Sequence, residues 1–555
     1  MKRFQGEFIW GAILSCGLAL VLYASSLSFE FTYDDRGILL QNENVKHSEW
    51  SQLLLGSYWG EQGDGLFRPL TMLSYGVNFA ISGKARSFHG FNIALHIINV
   101  LLLYLIAYRY WGVERAVWSS VLFAANPILS ESVASIVGRA ELLSFTFGLT
   151  GWILWDYARG NKGRVGWLFA ASVALLFSQL AKENGMIFSF AMVVAEWKGD
   201  KVARFSLLFP ITACMGGIFL KYFAIGSLSP SVIGFIDNPL AYAETAVRMT
   251  NGLGILVRYG IKLVFPWPMS VDYSFDQIPV ITPWYASDHM WALALLLSVY
   301  FFARRWAVSD IFHLRWSISL ALSIFLVCSI PIASSTIYAE RLLYLPVAVF
   351  TLLLCGVISQ IEIRSARALF VGLAVVLSGL TLSRIPVWEN DTTLFSSAVL
   401  TSPRSARSFY GLGVTLHRKG QLEPALAAYD KALEIYPKYA EAQYNRAALF
   451  LGQGEYAQAH TAYSEVVAWN PGYIKARRAL ALIEIELGHI EQGLERLRLL
   501  ASENKGLEDI EILVNVLGQL GRRAEAEQVL LERVETEPNN RVLNDLLKVV
   551  RNGGN

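Results

Sequence analysis

Charge and cysteine are scarce in this chain. Of 555 residues only 17% are charged, and 47 basic side chains nearly balance 45 acidic ones, for a formal charge of +2. No basic stripe stands out, which argues against nucleic acid as a partner. The four cysteines, Cys16, Cys214, Cys328 and Cys355, fall in apolar runs and form no CxxC pair. They read as small buried apolar residues and carry no information about redox compartment. Walker A, dinucleotide-fingerprint, HExxH and GxSxG motifs are also missing, which argues against a nucleotide-fuelled transporter.

What is abundant is apolar sequence. The hydrophobic share is 54% and the mean hydropathy +0.40, too apolar for an ordinary soluble protein. The long apolar runs stop near residue 385. From about 405 the chain is charged, rich in Ala and Leu, and has no run long enough to span a bilayer. The expected organisation is all-α: a polytopic membrane domain over 1–385, a linker over 386–405, helical repeats over 406–540 and a tail over 541–555.

At the N-terminus Lys2 and Arg3 precede a nearly uncharged stretch from Ile9 to Phe29. It is longer than the apolar core of a signal peptide and is followed by more spans, so a retained signal anchor is expected. Candidate spans lie at about 9–28, 89–108, 116–129, 141–157, 166–181, 186–197, 204–223, 288–303, 316–333, 342–360 and 368–384. Basic residues gather between alternate spans, for example Arg109 with Arg115 and Arg304 with Arg305 and Arg315. The positive-inside rule puts those loops in the cytoplasm and is consistent with eleven spans. Segment 246–265 carries Arg248, Arg258 and Lys262 and would break the alternation, so it reads as an interfacial or re-entrant helix on the outer side. On this topology the polar loops and the whole C-terminal domain face away from the cytoplasm.

The C-terminal part is periodic. Pro437 and Pro471 stand 34 residues apart, as do Ala425 and Ala459, Tyr429 and Tyr463, and Gly420, Gly454 and Gly488. This is the tetratricopeptide period, and about four repeats fit. Such arrays stack into a superhelix whose groove usually binds polypeptide.

Ionisable residues at membrane depth are costly, and each is a functional candidate. Asp34 and Asp35 lie just outside the first span, where a carboxylate pair suits proton abstraction from an acceptor or a divalent metal. His89, Asn92 and His96 share one helical face. Glu131, Arg139 and Glu141 crowd a membrane turn, where Arg139 can pair with either acid or bind a phosphate. Lys182 and Glu183 lie between two spans, where a cation can meet an anionic lipid head group. Asp272, Glu340 and Arg341 stand among aromatics, an arrangement suited to an interface or a sugar face.

Several motifs occur in a telling order: Tyr33-Asp34-Asp35; Phe67-Arg68-Pro69-Leu70; Asn126-Pro127, Glu131 and Val137-Gly138-Arg139-Ala140-Glu141; Lys182-Glu183-Asn184-Gly185; Phe265-Pro266-Trp267-Pro268 with Asp272-Tyr273-Ser274; Ala339-Glu340-Arg341-Leu342-Leu343-Tyr344; Pro386 with Trp388; and the repeats. Together they resemble the transmembrane-and-tetratricopeptide-repeat O-mannosyltransferases, a branch of the GT-C glycosyltransferases. The likeness covers nearly the whole chain. The chain departs from the family pattern in its short repeat array, in Asn126 where His is expected and in Asn184 where Gln is usual; its compact form suggests a bacterial relative.

The resemblance implies a transferase that takes a monosaccharide, mannose or another, from a polyprenyl-phosphate donor. The acceptor is a protein hydroxyl on the outer side, the periplasm for a bacterial inner-membrane protein or the endoplasmic reticulum lumen in a eukaryote. Inversion at the anomeric carbon is implied as well. On this reading Asp34 or Asp35 is the base, with Asp34 favoured. Arg139, Lys182 and Arg341 stabilise the leaving phosphate. Glu131, Glu141, Glu183, His89, Asp272 and Glu340 position sugar or acceptor. The repeats hold the acceptor protein. A divalent ion on the aspartate pair is an option; a metal-free base is preferred, with no cofactor beyond the lipid-linked donor. Competing readings are a lipid-linked glycan transporter or polymerase, a membrane-anchored repeat scaffold without catalysis, and transfer to a lipid or cell-wall glycan.

Overall fold

The computed structural model describes residues 2–60, 65–158, 164–196, 205–228, 233–281, 328, 330, 333–359, 363–503 and 507–552. It divides into two compact units, Met1–Ser408 and Phe409–Asn555. The described residues are helices, turns and loops, with no strand among them.

Among the described residues of the first unit six helices are long and apolar enough to cross a membrane: Gly6–Ser28, Ala85–Trp111, Arg164–Ala181, Leu208–Ile225, Glu340–Ile358 and Ile363–Trp388. The expected span at 141–157 belongs to a broken pair, Pro127–Ala134 and Ile136–Ala158, bent by 101°. The expected spans at 116–129 and 186–197 are shorter helices, Val113–Ala124 and Met186–Glu196, too short to cross alone. Those at 288–303 and 316–333 lie outside the described residues, apart from Cys328 and Ile330. Segment 246–265 is helical over Thr245–Val264.

The break falls at Ser135, whose backbone is extended (φ −75°, ψ 132°), and the segment on either side is locally fixed. Pro127 opens a short 3-10 turn, and Asn126 caps it by accepting the Ile128 N–H at 3.1 Å. At Gly138 a β-carbon would fall 2.3 Å from the Ser132 carbonyl oxygen, so no larger residue fits without moving the backbone.

Burial sorts the long helices. Ala85–Trp111 and Glu340–Ile358 bury 56% and 61% of their apolar windows, against 22% for Leu208–Ile225 and Ile363–Trp388. The first pair forms the centre. The second keeps Phe219, Phe223, Val375 and Val376 exposed, the apolar face expected against lipid chains. This is a multi-pass membrane protein.

Residues 386–405 are not a free linker. After Ile385–Trp388 the helix Asp391–Thr401 starts on a capping box at Asn390, and Trp388, Asp391, Leu394, Phe395 and Ala398 are buried. The segment is pinned to distant main chain. Glu30 N–H donates to Glu389 O at 3.0 Å, Asp276 N–H to Arg404 O at 2.8 Å and Ala406 N–H to Phe275 O at 2.8 Å. The lack of an apolar run suggested a linker, but long-range pairing makes it part of the first unit.

The repeats are antiparallel helix pairs, with Leu422–Ile435, Ala440–Gly452, Tyr456–Trp469, Ile474–Glu486, Ile490–Glu503, Leu507–Gln519 and Arg523–Thr536 following Ala406–Arg418. The turn inside each pair needs a left-handed residue, supplied by Gly420, Gly454, Gly488 and Gly521 at φ of 72–87°. Ala425 and Ala459 are fully buried where helices cross. The expected tail is instead a terminal helix, Arg541–Asn552. Its Leu543 and Leu547 close the last core with Leu513, Leu517 and Leu530; an end repeat needs such a cap.

Candidate active site

The two aspartates outside the first span occupy different environments. Asp35 is fully buried. Its Oδ2 accepts the Thr32 N–H at 3.0 Å and the Thr32 hydroxyl at 3.5 Å, and its Oδ1 accepts the Val137 N–H at 3.0 Å. Both oxygens are committed to holding the loop, so Asp35 is unsuited to the base role expected for the pair. Burial pushes its pKa up to about 7, against the opposing pull of the main-chain donors.

Asp34 is only partly buried, and its side chain makes no hydrogen bond or ion pair among the described residues. Desolvation raises its carboxyl above the ordinary range. Arg341 and Arg407 oppose that rise, and Asp237 and Asp272 add to it. The turn that carries it is unusual. Tyr33 has φ of 49°, its N–H donates to Asp391 Oδ1 at 2.8 Å, and its ring stands edge-on to Phe395.

Arg341 opens the Glu340–Ile358 span and stays about 29% exposed at its side chain. Glu131 grips it twice: Oε2 accepts the Arg341 N–H and Oε1 accepts Nη1, both at 2.8 Å. Glu131 is buried, so it orients the arginine and has no free oxygen pointing at a sugar. Glu340 is buried beside it and ties down the 270s loop, accepting the Tyr273 hydroxyl at 2.5 Å and the Ser270 N–H at 3.2 Å, with Lys262 Nζ at 3.7 Å. Asp272 Oδ2 accepts from Ser274 Oγ at 2.6 Å and Ser405 Oγ at 2.5 Å. Glu340 and Asp272 thus shape the rim near Asp34 by fixing loops.

Arg139 lies on the Asp35 side, two residues from the Val137 N–H that Asp35 accepts. It is fully enclosed. Nε donates to Asn92 Oδ1 at 2.9 Å, Nη1 to Ser74 O at 3.2 Å and Nη2 to Phe88 O at 3.1 Å, and Tyr75, Phe88 and Phe91 surround the guanidinium. The donors that a phosphate would need are spent on two main-chain carbonyls and the Asn92 side chain, so Arg139 locks three helices together and does not serve the expected phosphate role. His89 is buried against Glu30 O at 3.4 Å and does not reach the acidic turn as a ligand.

Two further ion pairs lie along the cleft that Leu342 and Tyr344 also line. Lys182 pairs with Glu141, and Arg68 pairs with Glu183 at 3.0 Å while lying over the Tyr58 ring. Burial lowers the Lys182 pKa, with Glu141 opposing. Glu141 lines that cleft with Ser144, Asn184, Phe188 and Tyr344. The expected set therefore separates into Asp34 with Arg341 and its supports, the Lys182–Glu141 cleft, and the enclosed Arg139.

Residues outside the sequence expectations complete the acidic turn: Asp391 and Arg36, joined at 2.7 Å, and the Arg407–Asp237 pair. Arg384 is buried with Nε and Nη2 unpartnered among the described residues. Of these, Asp391 shows in the sequence only as a charged residue just after the last span. Among the described residues no three His, Cys, Asp or Glu side chains gather as metal ligands.

Comparison with known proteins bears on this geometry. The models described as "TPR repeat" and "Tetratricopeptide repeat" match residues 413–454 and 450–514. A Caenorhabditis elegans protein named Protein O-mannosyl-transferase F38B6.6 is 27% identical over 78% of this chain and 64% of its own length. The human proteins TMTC4 and TMTC3, named likewise, are 24% and 25% identical over 76% of this chain, covering 66% and 51% of theirs. The chain is similar in sequence to these proteins named as protein O-mannosyl-transferases. It spans half to two thirds of the length of these O-mannosyl-transferase relatives. Among solved structures, ArnT from Cupriavidus metallidurans bound to undecaprenyl phosphate aligns over 89% of this chain and 80% of its own, at 12% identity and a TM-score of 0.43. That score does not establish a shared fold.

Proposed function

We propose that this protein is a membrane glycosyltransferase of GT-C type. It transfers a monosaccharide, with mannose the first candidate, from a polyprenyl-phosphate donor to a protein hydroxyl on the extracytoplasmic side. The observation that carries the reading is Asp34: a carboxylate just outside the first span, with no side-chain hydrogen bond or ion pair among the described residues, within electrostatic range of Arg341, which Glu131 holds fixed. The names of the relatives support the reaction class.

The chemistry follows from that pairing. The acceptor hydroxyl attacks the anomeric carbon as the bond from that carbon to the phosphate oxygen breaks. The hydroxyl proton passes to Asp34, and the electron pair of the broken bond leaves with the lipid phosphate. Arg341, held by Glu131, stabilises the charge that develops there without having to reorganise. Burial of Asp34 makes it a stronger base than a solvated carboxylate. Attack opposite the leaving group inverts the anomeric centre. Lys182, paired with Glu141 beside the cleft, is the second cation available to the donor head group. The base acts without a metal in this scheme, and the repeats bring the acceptor protein within reach as an effective-concentration device.

The test is transfer of radiolabelled mannose from synthetic polyprenyl phosphate to protein in liposomes, for wild type and Asp34→Asn. Label in protein that disappears in the variant supports the reading. Label only from a different lipid-linked sugar changes the donor, and label in lipid or glycan changes the acceptor. No transfer from any lipid-phosphate sugar overturns it.

A further inference from the structure

Asp391 lies outside every motif that stands out in the sequence, yet it grips the chain on both sides of Asp34. Its Oδ1 accepts the Tyr33 N–H at 2.8 Å and its Oδ2 accepts Arg36 Nε at 2.7 Å. The residue it holds is in an uncommon state. At φ of 49° Tyr33 occupies the left-handed region, which bulky side chains seldom adopt and which persists only where surroundings over-determine it. Here three contacts from one segment do so: the Asp391 carboxylate, the Phe395 ring set edge-to-face at 5.5 Å, and Glu389 O, which accepts the Glu30 N–H at 3.0 Å. The holder is itself fixed. Asn390 accepts the N–H groups of Thr392 and Thr393 at 3.0 and 3.1 Å, capping the helix that begins at Asp391, and Leu394, Phe395 and Ala398 anchor that helix in the core. On the inner side, Asp35 is bound to Thr32 and Val137. Asp34 sits between these clamps with no side-chain hydrogen bond among the described residues, so the backbone sets the direction in which its side chain leaves the main chain.

We infer that Asp391 is a positioning residue: by holding Tyr33 left-handed it aims the Asp34 carboxylate at the reacting hydroxyl. This rests on the assignment of Asp34 as the base.

The experiment uses the full-length protein in liposomes with the mannosyl donor above, and 3-fluorotyrosine placed at position 33 for 19F NMR. A misdirected reacting group costs on the order of 100-fold, so Asp391→Ala is expected to lower kcat by about that factor while KM for the donor moves less than about three-fold. Asp391→Asn keeps an oxygen for the Tyr33 N–H and is expected to recover most of the loss. Asparagine tolerates the left-handed region, so Tyr33→Asn is expected to make Asp391→Ala less damaging than it is alone. The 19F signal is expected to shift in Asp391→Ala as the ring leaves Phe395.

Wild-type kcat in a folded Asp391→Ala, a loss in KM rather than kcat, or an unmoved 19F signal would each overturn the inference. If Asp391→Ala does not fold, Asp391→Asn as inactive as Asp34→Asn would do the same. A wild type inactive with every lipid-phosphate sugar would instead sink the transferase reading, and the 19F arm would still decide whether Asp391 sets the Tyr33 conformation.

Discussion

Glu131 holds Arg341 by two atoms at once, accepting its main-chain N–H and its guanidinium, both at 2.8 Å. A carboxylate that fixes an arginine's backbone and head together sets its direction as well as its charge. Glu131→Gln keeps the size but weakens the charge-assisted bond. It is expected to lower kcat by roughly 10–100-fold, and Arg341→Ala added to it should cost little more. A double-mutant cycle on transfer rates checks this; fully additive losses would mean the two side chains act independently.

Asp34→Asn removes the base and is expected to reduce kcat by about 10²–10⁴-fold. The pH profile carries a further signature. Asp34 acts when deprotonated, and its pKa lies above the ordinary carboxylate range because of burial. Activity should therefore climb with pH along a limb displaced upward from a solvated aspartate. Arg407 opposes that rise, so Arg407→Gln should move the limb to still higher pH. A limb unchanged in Arg407→Gln would argue that another group is titrating.

Asp35 should appear in stability instead. Its folded pKa is raised to about 7 from an ordinary value of 3.8. Between those values the folded state holds a proton that the unfolded chain has lost. Its contribution is then greatest below pH 3.8 and falls as pH rises to about 7. Thermal melts of wild type and Asp35→Asn across that range measure the difference. The variant should lose the slope, and it should be destabilised by about 1–3 kcal/mol where one oxygen no longer accepts.

Arg139→Ala is expected to fail in folding rather than in catalysis. It deletes three buried hydrogen bonds and the aromatic cage contacts, and losses of about 3–5 kcal/mol are typical when buried charged networks are broken. Arg139→Lys should not rescue it, because an ammonium cannot reproduce the planar fork. Yield and melting temperature in detergent report this. A folded Arg139→Ala with a raised donor KM would restore the phosphate-binding role.

Removal of 541–555 should destabilise the repeats, because Leu543 and Leu547 complete their final core. Two buried leucines are worth about 3–6 kcal/mol together. Denaturant unfolding of the full chain and the truncated one makes the comparison.

Sequence alone determined what local physics controls. A bilayer demands about 20 apolar residues per span, so the membrane region was legible from hydropathy. Each repeat packs only on its neighbours, so a 34-residue period was enough to place the array. An acidic pair at the end of the first span was equally plain. Tertiary structure decided the division of labour among like residues. Asp34 and Asp35 differ because Val137, far along the chain, donates to one of them. Arg341 stays partly exposed and Arg139 does not, because Asn92, Ser74 and Phe88 from other segments enclose Arg139. Residues 386–405 carry no apolar run, and their place in the first unit depends on hydrogen bonds to residues 30, 33, 36 and 276. Composition records how much of a segment is apolar, whereas a hydrogen-bond partner hundreds of residues away leaves no local trace.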